Sequence, residues 1–376
     1  MVVITGIGLV STLGKSLEES WQQLIAGKSG IKLHQPFPEL KSYPLGMIEE
    51  EPMRLRTLTQ LVVSMALQDA NLLPPLTDCG VVIGSSRSNQ GLWEKMMRSP
   101  DLPSICSEDW LETLPHMNAI AVARQIGSCG IVLVPMAACS TGIWAIAQAA
   151  NLILTGQCQR AIAGAVEVPI TPLTLTGFQQ MGALANTGVY PFDLNREGLA
   201  LAEGGAVFVL ESEELALQRQ AKVYGRVLSF GLTADAYHAN SPDPEGRGAK
   251  QAIVQCLNSA RLTFNDIDYI HAHGTATQMN DRMESKVIQQ LFPQGVAVSS
   301  TKGATGHTLG ASGALGIAFS LMALQHQKIP PCVGLSNPDF DLDLVKEIRS
   351  SKIHNVLCLS FGFGGQNTAM ALTTYD

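Results

Sequence analysis

Short runs of β-branched and other apolar residues alternate along the chain with longer segments in which apolar residues recur at helical spacing. In the first half the short runs, which predict strands, are residues 2–5, 80–84, 131–136, 161–165 and 205–211. The longer segments, which predict helices, are residues 17–27, 57–70 and 141–154. This alternation predicts an α/β fold.

The same alternation starts again near residue 224. Strands are predicted at residues 225–231, 267–271, 297–300, 356–360 and 368–373, and helices at 248–260, 283–291 and 310–324. In each half a group of small residues stands before a long helix, at 138–142 and at 304–308. We interpret this as an internal duplication, with halves at residues 1–215 and 216–376 that form one compact unit, because no long linker separates them.

Composition predicts a large interior and excludes some classes of protein. Of 376 residues 46% are hydrophobic and 15% are charged, so we expect a sizeable core or a buried oligomer interface. The net charge of −7 offers no basic excess to replace phosphate counterions, so nucleic acid binding is not expected. We expect neither a signal peptide nor a transmembrane helix, since the longest apolar candidate, residues 131–150, is interrupted by polar residues and proline.

The chain has eight cysteines but no CxxC pair, which predicts reduced thiols in a cytoplasmic protein rather than a zinc or thioredoxin-like centre. Cys139 differs from the other cysteines because it lies between a predicted strand and a predicted helix. The N–H groups of a helix terminus converge there, and they lower the pKa of a thiol. From this local context Cys139 is as consistent with a buried structural cysteine as with a nucleophile.

Histidines and glycines mark three further segments. His271 and His273 alternate on a predicted strand and face opposite sides, so we expect no metal site shared by them, and we interpret His271 as a core histidine. Lys302 precedes His307 by five residues in a glycine-rich segment. Either its charge polarises a pocket or the segment is a plain turn. Phe363 lies between glycines in a segment that is either an apolar plug or a tight turn between strands.

The order of these segments along almost the whole chain resembles the β-ketoacyl-acyl-carrier-protein synthase family of the thiolase superfamily, and most nearly its elongating type II condensing enzymes. The matching positions are residues 3–11, 18–21, 27–31, Cys139, residues 171–173, 191–193, 196–198, 235–238, 273–277, Asn280, Asp281, Lys302, and residues 305–307 and 362–365. The resemblance implies a thiolase fold with five layers, α-β-α-β-α, built from two duplicated halves. It also implies a homodimer.

The resemblance implies a decarboxylative Claisen condensation between an acyl-enzyme thioester and malonyl-acyl carrier protein, in fatty-acid or polyketide-type synthesis. Cys139 would be the nucleophile that accepts the acyl group. His273 and His307 would promote loss of CO₂ and stabilise the enolate oxygen, and Lys302 would organise the pair. No cofactor or metal is expected, because the carrier protein delivers the phosphopantetheine arm.

Further residues receive supporting roles from the same resemblance. Phe363 would act as a gate, and its backbone N–H would form an oxyanion hole with that of the nucleophile. Thr275 and Thr277 would bind the pantetheine arm. Asp281 and Glu284 would form an acidic pair behind the histidines.

Arg54 and Arg56, which precede the helix predicted at residues 57–70, are the candidates for docking an acidic acyl carrier protein; either could equally be an ordinary solvated charge. Two alternatives to condensation remain at this point. One is a non-condensing partner of a sister synthase, similar to a chain-length factor, which the presence of Cys139 disfavours. The other is acyl transfer or hydrolysis on the same fold, which would not need both histidines and the lysine. Departures from the family pattern, such as His271 in place of asparagine, leave the acyl substrate open.

Overall fold

A computed structural model describes residues 1–98 and 108–375 of the chain. Its α-helices are α1 (Leu17–Ile25), α2 (Leu55–Asp69), α3 (Gln90–Arg98), α4 (Met117–Ile126), α5 (Thr141–Leu154), α6 (Pro172–Gln180), α7 (Glu213–Gln218), α8 (Arg247–Ala260), α9 (Gln278–Leu291), α10 (Lys302–Thr305) and α11 (Ser312–His326). Short 3₁₀ turns lie at Glu108–Thr113, Phe264–Asp266, Leu309–Ala311 and Phe363–Gly365.

The strands are β1 (Val2–Val10), β2 (Lys32–His34), β3 (Tyr43–Leu45), β4 (Gly80–Gly84), β5 (Val132–Leu133), β6 (Arg160–Glu167), β7 (Gly204–Ser212), β8 (Gly225–Ala234), β9 (Tyr269–His271), β10 (Ala297–Ser299), β11 (Lys328–Ile329), β12 (Asp343–Leu344), β13 (Arg349–Ser350), β14 (Asn355–Gly362) and β15 (Gln366–Thr373). Eleven of them form one sheet in the order β12-β10-β9-β14-β15-β8-β1-β7-β6-β4-β5.

The strand pairings repeat about the junction of β1 with β8. Outward from β1, the neighbours β7 and β6 are antiparallel, and β4 and β5 then add in parallel. Outward from β8, β15 and β14 are antiparallel, and β9 and β10 then add in parallel. The two halves therefore share one topology, and the boundary predicted between residues 215 and 216 falls within helix α7, which connects them.

Two buried helices lie between the half-sheets. Helix α5 contacts β4, β6 and β15, whereas α11 contacts β14, β15 and β7, and the two helices pack on each other. The outer faces are covered by α2 and α4 in the first half and by α8 in the second. This arrangement is the five-layered α-β-α-β-α fold that the resemblance implies.

The central helices approach closely because glycines stand at their points of contact. A Cβ placed on Gly142 would lie 2.5 Å from the backbone nitrogen of Ala314, and one on Gly313 would lie 2.8 Å from Ile143. Strand β1 meets helix α2 in the same way, since a Cβ on Gly8 would lie 1.8 Å from the Val62 carbonyl oxygen. Glycines thus set the spacing between layers.

The segment Leu309–His326 is long and apolar enough to cross a bilayer, a candidate that the sequence prediction missed. However, 89% of it is buried inside the protein, and a helix that fills a protein core has the same length and composition. It is therefore weak support for a membrane span.

Candidate active site

Cys139 lies in a tight turn between strand β5 and helix α5. Ala138, the residue before it, has a φ of 46°, a left-handed conformation that alanine rarely adopts. Thr141 holds the turn, because its Oγ1 accepts a hydrogen bond from the Ala137 N–H at 2.9 Å and donates one to the Ala138 carbonyl at 2.7 Å. The thiol is thereby fixed just before the N-terminus of a helix.

The end of strand β14 and the loop after it close over this turn. The Ser360 hydroxyl donates to the Cys139 carbonyl and the Ser140 hydroxyl donates to the Ser360 carbonyl, both at 2.9 Å. A Cβ on Gly362 would lie 2.9 Å from the Ala137 carbonyl oxygen and 3.0 Å from the Cys139 nitrogen. Only glycine permits this approach, which brings the following residue of the loop to the thiol.

Burial raises the pKa of the Cys139 thiol to about 11. The positive charges of Lys302 and Arg87 and a hydrogen bond from the Phe363 backbone N–H lower this pKa, but by less than burial raises it. The prediction that the helix terminus would give a low pKa is therefore wrong for the free thiol, because loss of hydration destabilises the thiolate more strongly.

His273 follows β9 and is held through its backbone. Its N–H and that of Gly274 donate to the two carboxylate oxygens of Glu284, each at 2.7 Å. Lys302 Nζ donates to the His273 carbonyl and lies 3.4 Å from His273 Nδ1. Burial, followed by the charge of Lys302, lowers the pKa of His273 well below 6.5, so the ring is neutral at physiological pH.

His307 is held through its ring. The Leu309 N–H donates to its Nδ1 at 3.2 Å, and the Ser312 hydroxyl lies 2.8 Å from the same atom. Burial and then Lys302 lower the pKa of His307 well below 6.5. Because Nδ1 accepts a hydrogen bond in a neutral ring, the proton lies on Nε2. The amino group of Lys302 beside Nδ1 of His273 places the proton of that ring on Nε2 as well.

The cysteine and the two histidines lie together. Cys139 Sγ and one ring nitrogen each from His273 and His307 are within 4.8 Å of one another. One thiol and two imidazole nitrogens at this spacing are also able to hold a soft divalent cation. The expectation that this site holds no metal stays a prediction. His271 points elsewhere, since its Nε2 lies 3.2 Å from the buried Thr301 hydroxyl, so its interpretation as a core histidine is confirmed.

Cys139, His273 and His307 line a cleft of about 410 Å³ that opens to the surface. Thr275 and Thr277 form part of its wall, with their hydroxyl oxygens 2.8 Å apart. Phe363 also lines the cleft, is 36% exposed, and stacks on Phe178 with ring centroids 5.8 Å apart. Asn240, Ser241 and Pro242, which lie between strand β8 and helix α8, also line the cleft.

Comparison with known proteins identifies the family. The description "Beta-ketoacyl synthase, N-terminal domain" matches residues 54–216, and "Beta-ketoacyl synthase, C-terminal domain" matches residues 224–336. The chain belongs to the β-ketoacyl synthase family. It is 33% identical over 408 residues to 3-oxoacyl-[acyl-carrier-protein] synthase 2 of Synechocystis sp., covering 100% of this chain and 98% of that protein. The corresponding protein of Coxiella burnetii is 35% identical, with coverage of 99% and 98%.

Solved structures agree with this assignment. One is described as a type II polyketide synthase acyl-carrier protein in complex with its ketosynthase bound to the hexaketide; it matches with a TM-score of 0.93 and 28% identity, over 100% of this chain and 99% of that chain. A β-ketoacyl synthase from Burkholderia phymatum matches with a TM-score of 0.89 and 27% identity, with the same coverage. The predicted family and fold of this β-ketoacyl synthase are confirmed.

The acidic pair of the synthase lies behind His273 on helix α9. Asp281 accepts a hydrogen bond from the Phe192 N–H at 2.8 Å, and the Asn280 amide donates to both Asp281 and Glu284, at 3.1 Å and 3.2 Å. Burial raises the pKa of Glu284 to about 7. These contacts fix the backbone beneath the histidine.

The arginines proposed to dock the carrier lie outside the cleft lining, at the start of helix α2. Arg54 is exposed and has no ion pair among the described residues. Arg56 lies 3.1 Å from Glu112, which also pairs with Arg124 at 2.9 Å. Arg56 is thus less available than the sequence suggested, and the docking role of both arginines stays a prediction.

Sequence reasoning missed two groups near the thiol. Phe178 lies on helix α6, in a segment with no clear apolar period, and Arg87 follows strand β4 in the polar run 85–90. The one available signal for Arg87 was a charged residue directly after a buried strand, where side chains of an α/β fold often reach a ligand.

Proposed function

We propose that this β-ketoacyl synthase joins an acyl group held on Cys139 to a malonyl group delivered by an acyl carrier protein, with loss of CO₂. The observation that carries the proposal is the grouping of one thiol with two neutral imidazoles at the cleft. Each imidazole carries its proton on Nε2, as argued from the hydrogen bonds to Nδ1. Two neutral N–H donors suit an oxyanion that develops without a metal.

In the first step the Cys139 sulfur attacks the acyl thioester carbonyl. The new bond joins sulfur to the acyl carbon, the bond to the pantetheine sulfur breaks, and the thiol proton leaves with that sulfur. The nearby charge of Lys302 favours the developing thiolate. The N–H groups of Cys139 and Phe363, which the loop contact at Gly362 brings close, would bind the carbonyl oxygen.

In the second step the bond from the malonyl carboxyl carbon to its neighbour breaks, CO₂ leaves, and the electron pair forms an enolate. The Nε2–H groups of His273 and His307 would donate to the enolate oxygen; one such donor is typically worth about 3–4 kcal/mol. The enolate carbon then attacks the acyl carbonyl, the bond from that carbon to the Cys139 sulfur breaks, and the departing thiolate takes up a proton from water to restore the thiol. Lys302 would act by positioning His273, to which it is hydrogen-bonded.

The carrier and its arm belong to the proposal. The solved complex of a ketosynthase with an acyl-carrier protein supports a carrier as substrate donor. Thr275 and Thr277 present hydroxyls at the wall of the cleft, where they would hydrogen-bond a pantetheine arm. We expect no resident cofactor.

The test is a single-turnover reaction of the full chain with an acyl carrier thioester and malonyl carrier. We expect acylation of Cys139, CO₂ release and a β-ketoacyl product, and loss of the product in Cys139→Ala. A product that is only the transferred or hydrolysed acyl group would support the acyltransferase alternative and overturn the proposal.

A second candidate is a non-condensing partner of a sister synthase. It is favoured by one solved structure described as the ishigamide ketosynthase/chain length factor, which matches with a TM-score of 0.91 and 26% identity. The presence of Cys139 argues against it. Absence of acylation from every thioester in the same experiment would favour this candidate.

We also propose a homodimer. Strand β5 forms one edge of the described sheet, and apolar residues flank it, with Ile131 37% and Met136 54% exposed. An open apolar edge is suited to pairing with a second copy of the same strand. Sedimentation should give a dimer at micromolar concentration, and a monomer under those conditions would contradict the proposal.

A further inference from the structure

Glu167 is a buried carboxylate that joins two turns near the cleft. It is the last residue of strand β6, is fully buried, and does not line the cleft. Its oxygens accept five hydrogen bonds of 2.6–3.1 Å, from the hydroxyls of Ser85 and Ser86 and from the N–H groups of Ser86, Arg87 and Gly310. Three of these donors are backbone N–H groups, which cannot accept a hydrogen bond, so a side chain that only accepts suits this position.

The contact with Gly310 links the two halves of the chain and admits only glycine. Gly310 lies in the 3₁₀ turn Leu309–Ala311, between His307 and helix α11. A Cβ on Gly310 would lie 2.6 Å from Oε2 of Glu167 and 2.8 Å from the Ser86 nitrogen. The turn that follows His307 is therefore packed directly against the carboxylate, which fixes its position.

Leu309 connects this contact to the ring of His307. Its N–H donates to His307 Nδ1 at 3.2 Å, and its φ of 41° is a left-handed conformation that leucine rarely adopts. A strained residue persists only where the surrounding structure holds it. The bond from the Gly310 N–H to Glu167 fixes the peptide plane directly after Leu309. The carboxylate thereby holds in place the donor that keeps the His307 proton on Nε2.

We propose that Glu167 is a positioning residue for the decarboxylation step, acting on His307 through the turn Leu309–Ala311. This inference rests on the proposed function, in which Nε2–H of His307 donates to the enolate oxygen. If the turn shifts, its backbone N–H no longer reaches Nδ1, and the ring is free to rotate or to carry its proton on Nδ1. Either change removes one donor from the enolate oxygen, and one such donor typically contributes about 10²–10³ in rate.

The thiol is held by other contacts. Hydrogen bonds of Thr141 within the turn, and one from Ser360 to the Cys139 carbonyl, fix the nucleophile. Loss of the Glu167 contact should therefore slow decarboxylation without an equal effect on acylation. The ratio of the two rates separates a positioning role from a general loss of structure.

The experiment measures the two steps separately on the full chain. Intact mass follows acylation of Cys139 by an alkanoyl pantetheine thioester, and CO₂ release from malonyl pantetheine is then measured on the acylated enzyme. We expect Glu167→Ala to slow CO₂ release about tenfold or more and to change acylation less than about threefold. Glu167→Gln should recover part of the rate, because its amide oxygen still accepts from the Gly310 N–H.

A second variant disturbs the same contact from the other side. Gly310→Ala places a methyl group against the carboxylate, so it should also slow CO₂ release more than acylation. Because Glu167→Ala and Gly310→Ala act on one contact, their effects on CO₂ release should be less than additive when the two are combined. Glu167→Gln and Gly310→Ala decide the test if Glu167→Ala does not fold.

The matched control is Glu211→Gln. Glu211 is also a fully buried carboxylate with several donors, among them the Thr5 hydroxyl, but it lies opposite Arg160, at the other end of strand β6 from Glu167. This variant should keep the wild-type ratio of the two rates, even where it lowers the midpoint of thermal unfolding.

Two results would overturn the inference and leave the proposed function intact. One is equal slowing of both steps in Glu167→Gln and Gly310→Ala, and the other is an unchanged rate of CO₂ release in both variants. A wild type that neither becomes acylated nor releases CO₂ would overturn the proposed function and this inference together.

Discussion

Two opposing effects meet at the sulfur of Cys139. Burial raises its pKa to about 11, while the charges of Lys302 and Arg87 and the Phe363 N–H lower it. Because burial prevails, the resting thiol is protonated at neutral pH, and the surrounding charges act mainly on the thiolate that forms during attack. The reaction of this thiol with a small electrophile should therefore follow the small fraction of thiolate.

We expect alkylation of Cys139 by iodoacetamide to accelerate about tenfold per pH unit from about pH 7 to about pH 10, because a thiol far below its pKa gains thiolate in that proportion as the proton is lost. Peptide mapping by mass spectrometry measures the rate. A Cys129→Ser background removes a thiol that is exposed and would consume reagent. A rate that levels off below pH 8 would show that the thiol has a low pKa after all.

The two steps of the proposed reaction use different residues, which a single variant can separate. We expect His307→Ala to keep acylation of Cys139, since the helix terminus and Lys302 remain, and to lose decarboxylation of malonyl carrier by about 10²–10³-fold. Intact mass and CO₂ release measure the two steps. His354→Ala, which removes an exposed histidine, is the control. Equal loss of both steps, with the circular dichroism spectrum unchanged, would falsify this division of roles.

At the scale of single residues, the sequence predicted those candidate site residues that lie in short motifs. Cys139 and His307 each stand in a turn of small residues before a long helix, which the structure confirms. The thiol pKa was not predictable, because it depends on burial by segments more than 200 residues away, such as strand β14, which contains Ser360. The proximity of Phe178 to Phe363 was not predictable for the same reason, since the two residues are far apart in the sequence.

At the scale of elements, strands and helices with strong apolar patterns were predicted and others were not. Helix α6 contains Thr174, Thr176 and Gly177, which have poor helix propensity, and it forms because Leu175 and Phe178 are buried. Strand β5 was predicted at residues 131–136 but is paired only at Val132–Leu133, since its other side is a sheet edge. Tertiary contacts, rather than local sequence patterns, therefore decide the extent of helix α6 and of strand β5.

The close pairing of helices α5 and α11 gives a stability prediction. We expect Gly142→Ala to destabilise the protein by about 1–3 kcal/mol, because the added methyl meets backbone atoms of Ala314 that cannot move aside. Gly177→Ala is the matched control: it is also a helical glycine, but a Cβ there meets nothing within 4 Å, so the change should be neutral or slightly stabilising. Equal midpoints of thermal unfolding in the two variants would contradict the packing argument.

At the scale of the whole molecule, the net charge of −7 opposes the approach of an acidic carrier. Attraction must then come from a local group of basic residues, and it should weaken as salt rises. Of the two arginines before helix α2, Arg56 already pairs with Glu112, whereas Arg54 is exposed. The structure therefore divides a pair of residues that the sequence treated as equivalent.

If the carrier docks at this end of α2, Arg54→Glu should raise KM for carrier-bound substrate about five- to tenfold at low salt, and Arg56→Glu should have the smaller effect because its charge is already compensated. Acylation by a small pantetheine thioester should be unchanged in both variants, since neither residue lines the cleft. Steady-state kinetics at two salt concentrations measure these effects.

The control for net charge is Arg349→Glu, at the far edge of the sheet. Equal effects on carrier-bound and small thioesters would mean that the fold was damaged. Equal KM changes in Arg54→Glu and Arg349→Glu would show that only net charge matters and that docking lies elsewhere.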